Sequence, residues 1–162
     1  MSTANGGDLE VSDGHSVVQL NDGFSPPSAE SLSPVDIQQL SPAALAYLGD
    51  AVYELYIRRL CLLPPKRIQI YHQQVVAQVR AEQQASHLRS LLPHLSPLEL
   101  EIVKRGRNAA TGRPKRLDPA IYQEATSLET LVGYLYLTDP HRLTQLLTHL
   151  ELVSPPESVY PQ

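Results

Sequence analysis

Four dipeptides divide most of this chain into helices: Ser41-Pro42, Ser96-Pro97, Asp118-Pro119 and Asp139-Pro140. A Ser or Asp side chain accepts from the free amides of a first helical turn, and a proline at the first helical position has no amide hydrogen to leave unsatisfied. Ser96 is followed three residues on by Glu99, the reciprocal partner of a capping box. The spacing of apolar residues behind these starts predicts helices over 42–62, 66–72, 74–92, 97–106, 119–137 and 140–151. No alternating pattern of strand length interrupts them. Residues 107–117 form the one long predicted loop, broken by Gly112 and Pro114. The expectation is an all-α fold in one domain, which suits a chain of 162 residues.

Residues 1–35 are rich in Ser, Gly, Asp and Pro without a sustained apolar period, and are expected to form a disordered acidic tail. A short extra strand pair from Leu9–Val11 and Val17–Leu20 is the alternative. The folded domain is then 36–152, with a C-terminal tail over 153–162. The net charge of −4 hides an asymmetry: residues 1–36 hold six acids and no base, so the rest carries 13 bases against 11 acids. An acidic balance of this kind does not exclude a nucleic-acid partner. No run of 18 apolar residues is present, and the first 20 residues lack the features of a secretory or transit peptide. The single cysteine, Cys61, lies between Leu60 and Leu62 and reads as a small buried apolar residue. A reducing cytoplasm fits best.

Two acids lie on faces that are otherwise apolar. In the first long helix, Leu45, Leu48, Val52 and Leu55 make one stripe. Ala46, Gly49, Tyr53 and Ile57 make a second, with Asp50 inside it. In the penultimate helix, Glu129 shares a face with Ala125, Val132 and Tyr136, and Gly133 lies one turn away. An acid inside a helical core is costly unless it is paired with a cation or a metal. The two carboxylates are candidate ligands of one divalent cation, since magnesium favours a few carboxylate oxygens plus water. Their competing reading is pairing with arginine inside the bundle. Small Ala46 and Gly49 would leave room for an approach to Asp50. Glu54, four residues before Arg58, reads as half of an intrahelical ion pair rather than a ligand.

Residues 104–116, KRGRNAATGRPKR, hold six bases and no acid. Lys104 and Arg105 suit a helix C-terminus on dipole grounds alone, but Arg107, Arg113, Lys115 and Arg116 lie beyond that effect. A basic loop can contact phosphates without reading sequence; a merely solvated loop remains the alternative. Asn108 can reach a sugar or phosphate, or serve as a turn residue. The scarcity of aromatics disfavours stacking on single strands. His72, His87, His94, His141 and His149 show no zinc spacing and are expected at surface or half-buried helix positions. Dinucleotide, P-loop and nucleophile-elbow motifs are absent.

Leu45–Arg58, LAYLGDAVYELYIR, resembles the signature helix of the ribonuclease III family, and Ser127–Leu137, SLETLVGYLYL, resembles its second motif. Between them, Lys104–Ala109 is similar to the basic segment of the Mini-ribonuclease III branch. The likeness covers about residues 41–151, three motifs in order. About ten residues follow the last predicted helix, which resembles the branch without a double-stranded-RNA-binding domain. The resemblance implies a homodimeric helical endonuclease domain. It further implies magnesium-dependent hydrolysis of double-stranded RNA, each subunit cutting one strand, and the precursor of 23S ribosomal RNA as the substrate. A ribosomal protein is a further candidate partner. Asp50 and Glu129 match the family's metal-binding acids, and Lys104, Arg105, Arg107, Asn108, Arg113, Lys115 and Arg116 are expected to contact RNA. Ala46 and Thr126 stand where full-length members have acids, so a second protein-held metal is not expected. Tyr47 and Tyr53 are expected in core or dimer packing.

Two other functional classes remain open at this level. One is a non-catalytic RNA-binding member of the same fold. The other is a helical protein-interaction module whose basic loop docks an acidic partner.

Overall fold

The computed structural model describes residues 32–111 and 116–152, all helix, turn and loop, with no strand among the described residues. The helices are α1 (Pro34–Gln39), α2 (Pro42–Cys61), α3 (Ile68–Val79), α4 (Ala81–Leu91), α5 (Pro97–Ala109), α6 (Pro119–Thr138) and α7 (Pro140–Leu147), with a 3-10 turn over Leu92–His94. The all-α expectation holds. Ser41, Ser96, Asp118 and Asp139 all act as N-caps through their side chains. The expected box at Ser96 and Glu99 is present.

Four boundaries differ from expectation. A helix, α1, precedes the expected start: Ser33 and Asp36 form a capping box, Pro34 opens the helix, and Ile37 is buried. The expected limit between tail and domain at 35/36 therefore cuts through a helix. The expected break near residue 73 is absent, and the chain turns instead at Arg80, whose backbone is extended (ψ 153°). That turn frees the Gln78 carbonyl from the helical ladder, and the buried Tyr53 hydroxyl donates to it at 3.1 Å. At the other end, α5 runs three residues further, to Ala109. Asn108 is thus helical, and its reading as a turn residue is withdrawn. Last, α7 stops at Leu147 and continues only as turns to Leu150. Residues 1–31, Gly112–Lys115 and 153–162, which include most of the expected tails, lie outside the described residues.

Helix α6 is the central element, burying Ala125, Leu128, Leu131, Val132 and Leu135 along its length. Its neighbours approach it through glycines. A Cβ on Gly49 of α2 would overlap the Glu129 carbonyl, and one on Gly133 of α6 would overlap the Leu45 carbonyl. The two helices therefore meet backbone to backbone at this crossing. Gly106 of α5 faces Thr130 of α6 in the same way, with Thr130 Cβ 2.8 Å from where its own Cβ would be. Only glycine allows this approach. The role expected of Gly49, space for a ligand beside Asp50, is corrected: that space is filled by the main chain of α6.

Candidate active site

The α2–α6 crossing places Asp50 immediately after Gly49, and Glu129 within contact of Gly49 through its own carbonyl. Both side chains line one cavity of about 500 Å³. Its walls are mostly small and apolar, including Ala43, Ala46, Ala81 and Ala125. Thr126 and the backbone turn at Ala109–Thr111 complete the rim. The two acids differ in depth. Glu129 is half-buried, whereas Asp50 is exposed at the cavity mouth, not enclosed in the core as its stripe suggested. The face of α2 that carries Ala44, Tyr47, Ala51 and Leu55 is open rather than packed, which is why a helix apolar on most sides holds an exposed acid.

Burial first, and the Asp50 charge second, push the Glu129 carboxyl up to about 7, against a lowering influence of the Gln84 amide. Asp50 is also raised, first by partial desolvation and then by Glu54. None of the ion pairs among the described residues involves either acid. Pairing with arginine, the competing reading for both, is realised by another residue. Glu99 is 5% exposed. Arg142 donates to both its oxygens, at 2.8 and 3.0 Å, and this holds the Glu99 carboxyl below its ordinary range. Glu54 pairs with Arg58 as expected.

Two carboxyl groups facing one water-accessible cavity, with no base among the described residues lining it, are a donor set suited to a hard divalent cation. Among the described residues no group of three or more His, Cys, Asp and Glu forms a larger cluster. Alanine at 46 and threonine at 126 are both in the cavity wall. Neither carries a carboxylate.

The described bases stand beside the cavity, not in it. Lys104, Arg105, Arg107 and Asn108 are exposed on the last two turns of α5, and Arg116 is exposed after it. Lys104 lies 3.9 Å from Glu101 across exposed surface. Arg113 and Lys115 fall outside the described residues. Helix α5 ends at the rim, where Tyr122 donates a hydrogen bond to the Thr111 carbonyl at 3.2 Å.

Two features escaped the sequence reading. His87, expected at or near the surface, is buried: its Nδ1 lies 2.6 Å from the Tyr53 hydroxyl and its Nε2 3.1 Å from the Glu151 carbonyl. Burial holds its pKa below the ordinary imidazole value. Tyr53 is likewise core, while Tyr47 is 87% exposed. Gln84 was not singled out either, although it lies in register with the apolar Leu88 and Leu91 of α4 and so was marked for burial.

A model of the ribonuclease III domain matches residues 43–140. The chain is 59% identical over 125 residues to the Mini-ribonuclease 3 of a Synechocystis strain, an overlap covering 75% of this chain and 87% of that protein. It is 52% identical over 116 residues to the Mini-ribonuclease 3 of Gloeobacter violaceus, covering 72% and 86% respectively. The crystal structure of protein FN1578 from Fusobacterium nucleatum is similar with a TM-score of 0.64 at 31% identity, over 70% of this chain and 93% of that one.

Proposed function

The chain belongs to the ribonuclease III family, and from that premise we propose that it hydrolyses phosphodiesters of double-stranded RNA at a magnesium site held by Asp50 and Glu129. The observation that carries this reading is the glycine crossing of α2 and α6 beside one open cavity lined by two acids that take part in none of the ion pairs among the described residues.

When bound there, a magnesium ion lowers the pKa of a water and polarises the scissile phosphate. The protein's own residues do the rest. Asp50 at the mouth and Glu129 deeper in the cavity would hold the cation through their carboxylate oxygens. The alanine-rich walls leave room for a phosphate group and for waters in place of the acids missing at Ala46 and Thr126. Lys104, Arg105, Arg107, Asn108, Arg113, Lys115 and Arg116 hold the duplex by its backbone. A-form RNA offers side chains a shallow minor groove and its 2′-hydroxyls, so recognition rests on shape. The products carry 5′-phosphate and 3′-hydroxyl ends.

The exposed apolar face of α2 suits a second copy. Tyr47 is 87% and Leu55 48% exposed on the same helix as Asp50, apolar surface that a partner can cover. A two-fold pair through this face sets two sites on one side of the duplex, one for each strand. The cellular substrate we assign is the precursor of 23S ribosomal RNA, with a ribosomal protein as an accessory partner and the cytoplasm as the compartment. Among the described residues no helix is long and apolar enough to cross a membrane.

Cleavage of a long RNA duplex in magnesium tests the proposal. Wild type should cut, while Asp50→Asn and Glu129→Gln should each lose at least about 10³-fold in rate with an unchanged circular dichroism spectrum. Wild type that binds duplex in a salt-dependent way without cutting it would favour the non-catalytic RNA-binding reading. No duplex binding even at low salt would favour the protein-interaction module. For the cellular assignment, a precursor stem of 23S ribosomal RNA should be trimmed at both ends in preference to an unrelated duplex.

A further inference from the structure

Arg80 is the N-cap residue of α4, a place that favours Ser, Thr, Asp or Asn, and it gives the helix no side-chain cap. Its backbone angles, φ −67° and ψ 153°, match those of Ser33, Ser41 and Ser96, each of which caps its own helix through the hydroxyl. A serine at position 80 would therefore cap α4 with no change of backbone. The guanidinium also belongs to the positive end of the helix dipole, where a base is disfavoured. No ion pair among the described residues offsets this. Arg80 is exposed and pairs neither with Glu82 in the first turn of α4 nor with Asp50 or Glu129, whereas Arg58, Arg89 and Arg142 each hold an acid. Local stability thus argues against arginine here on two counts. The surroundings supply a reason for it: Val79 and Ala81, on either side of it in the chain, both line the cavity of Asp50 and Glu129. Helices α4 and α5 each pack on α6 with little contact between them, so the turn at Arg80 and the end of α5 form separate stretches of the cavity rim.

We propose that Arg80 binds a backbone phosphate of the RNA duplex, on a stretch of rim separate from the bases of α5. The inference rests on the reading that RNA is cut at this cavity. A duplex is much wider than the cavity, so a base at its lip meets phosphates other than the scissile one. Such a contact holds and orients the strand without reading its sequence. It is made alike before and during cleavage, so it acts on how tightly the duplex is held and not on the maximal rate. The guanidinium fork suits a phosphate, and a lysine keeps the charge while giving up the paired geometry. A residue that weakens its own helix while strengthening a binding site is the expected form of a compromise between stability and activity.

The test uses the full-length protein with Arg80→Ser and Arg80→Lys. Binding of a fluorescent RNA duplex is read by anisotropy in metal-free buffer over a range of salt, beside thermal melts and single-turnover cleavage in magnesium. Stability and binding should move in opposite directions in Arg80→Ser. Its melting temperature should rise by about 2–6 °C as the hydroxyl caps α4. Its duplex affinity should fall about 5-fold or more, with a slope of log affinity on log salt shallower by about 1. The cleavage rate at saturating duplex should stay within about twofold of wild type. Arg80→Lys should keep the wild-type salt slope and melting temperature. An Arg80→Ser protein that binds duplex with wild-type affinity and slope, while wild type cleaves, would overturn the contact and leave the active site standing. Melting temperature and affinity falling together in both variants would also overturn it, by marking the side chain as structural. Wild type that binds no duplex even at low salt would remove the RNA reading itself, and this inference with it.

Discussion

Glu129 carries opposing demands in one side chain: it is buried enough to resist ionisation and placed to need it. Its ordinary value of 4.5 is raised to about 7 in the fold. The protonated form is thus favoured by folding. Its stabilising contribution is complete below the unfolded value and is lost as pH rises through about 7. A shift of that size corresponds to at most about 3 kcal/mol between acidic and mildly alkaline solution. Glu129→Gln should therefore melt higher than wild type in metal-free buffer at about pH 8, with the gap closing by about pH 4. Added magnesium should narrow the gap at about pH 8 by stabilising wild type alone. Thermal melts at the two pH values check this; an equal offset at both would show that burial of this charge is not what distinguishes the variant. Both acids stood out in the sequence because a carboxylate on an apolar face needs an explanation. Their difference in depth did not, since it depends on which face of α2 other helices cover.

At the level of elements, two contacts hold the site's frame. The first is the crossing of α2 and α6. On helix propensity alone, Gly49→Ala would stabilise α2 by about 1 kcal/mol. The added methyl group would however overlap the Glu129 carbonyl, a main-chain atom that cannot rotate away. The helices must then part, at a cost of about 3 kcal/mol or more, so packing wins. Gly49→Ala should unfold at lower denaturant and lose cleavage, because the two acids move apart with the helices. A variant as stable as wild type would contradict the backbone contact. The second contact joins α5 to α7 through Glu99 and Arg142. Arg142→Ala leaves a carboxylate buried without its partner, at an expected cost of about 2–3 kcal/mol in urea unfolding, softened because water can reach the vacated place. The helix starts were legible because a cap and a proline act within four residues. The turn at Arg80 was not: no side-chain cap marks it, and Tyr53, whose hydroxyl donates to the Gln78 carbonyl just before it, lies in another helix.

For the whole molecule, the domain edge and the assembly are the open quantities. A chain beginning at Leu32 keeps the Ser33 cap and buried Ile37 of α1 and should retain full activity, whereas one beginning at Ser41 should be less stable by about 1–3 kcal/mol through loss of that buried side chain. Equal melting temperatures for the two truncations would show that α1 contributes nothing. In sedimentation, wild type should run as a dimer and Tyr47→Asp as a monomer, since a charge on the apolar face of α2 resists burial; a dimeric variant would place the interface elsewhere. Local pattern was enough for the helical class, for the four helix starts capped by Ser41, Ser96, Asp118 and Asp139, and for the two carboxylates at odds with their surroundings. These are short-range properties, set by caps, prolines and a period of 3.6 residues. It took the packed fold to show that Gly49 serves a helix crossing rather than a ligand, that the arginine partner belongs to Glu99, and that His87 is buried against Tyr53. Those outcomes turn on which surfaces meet across long stretches of chain, and local pattern carries no information about that.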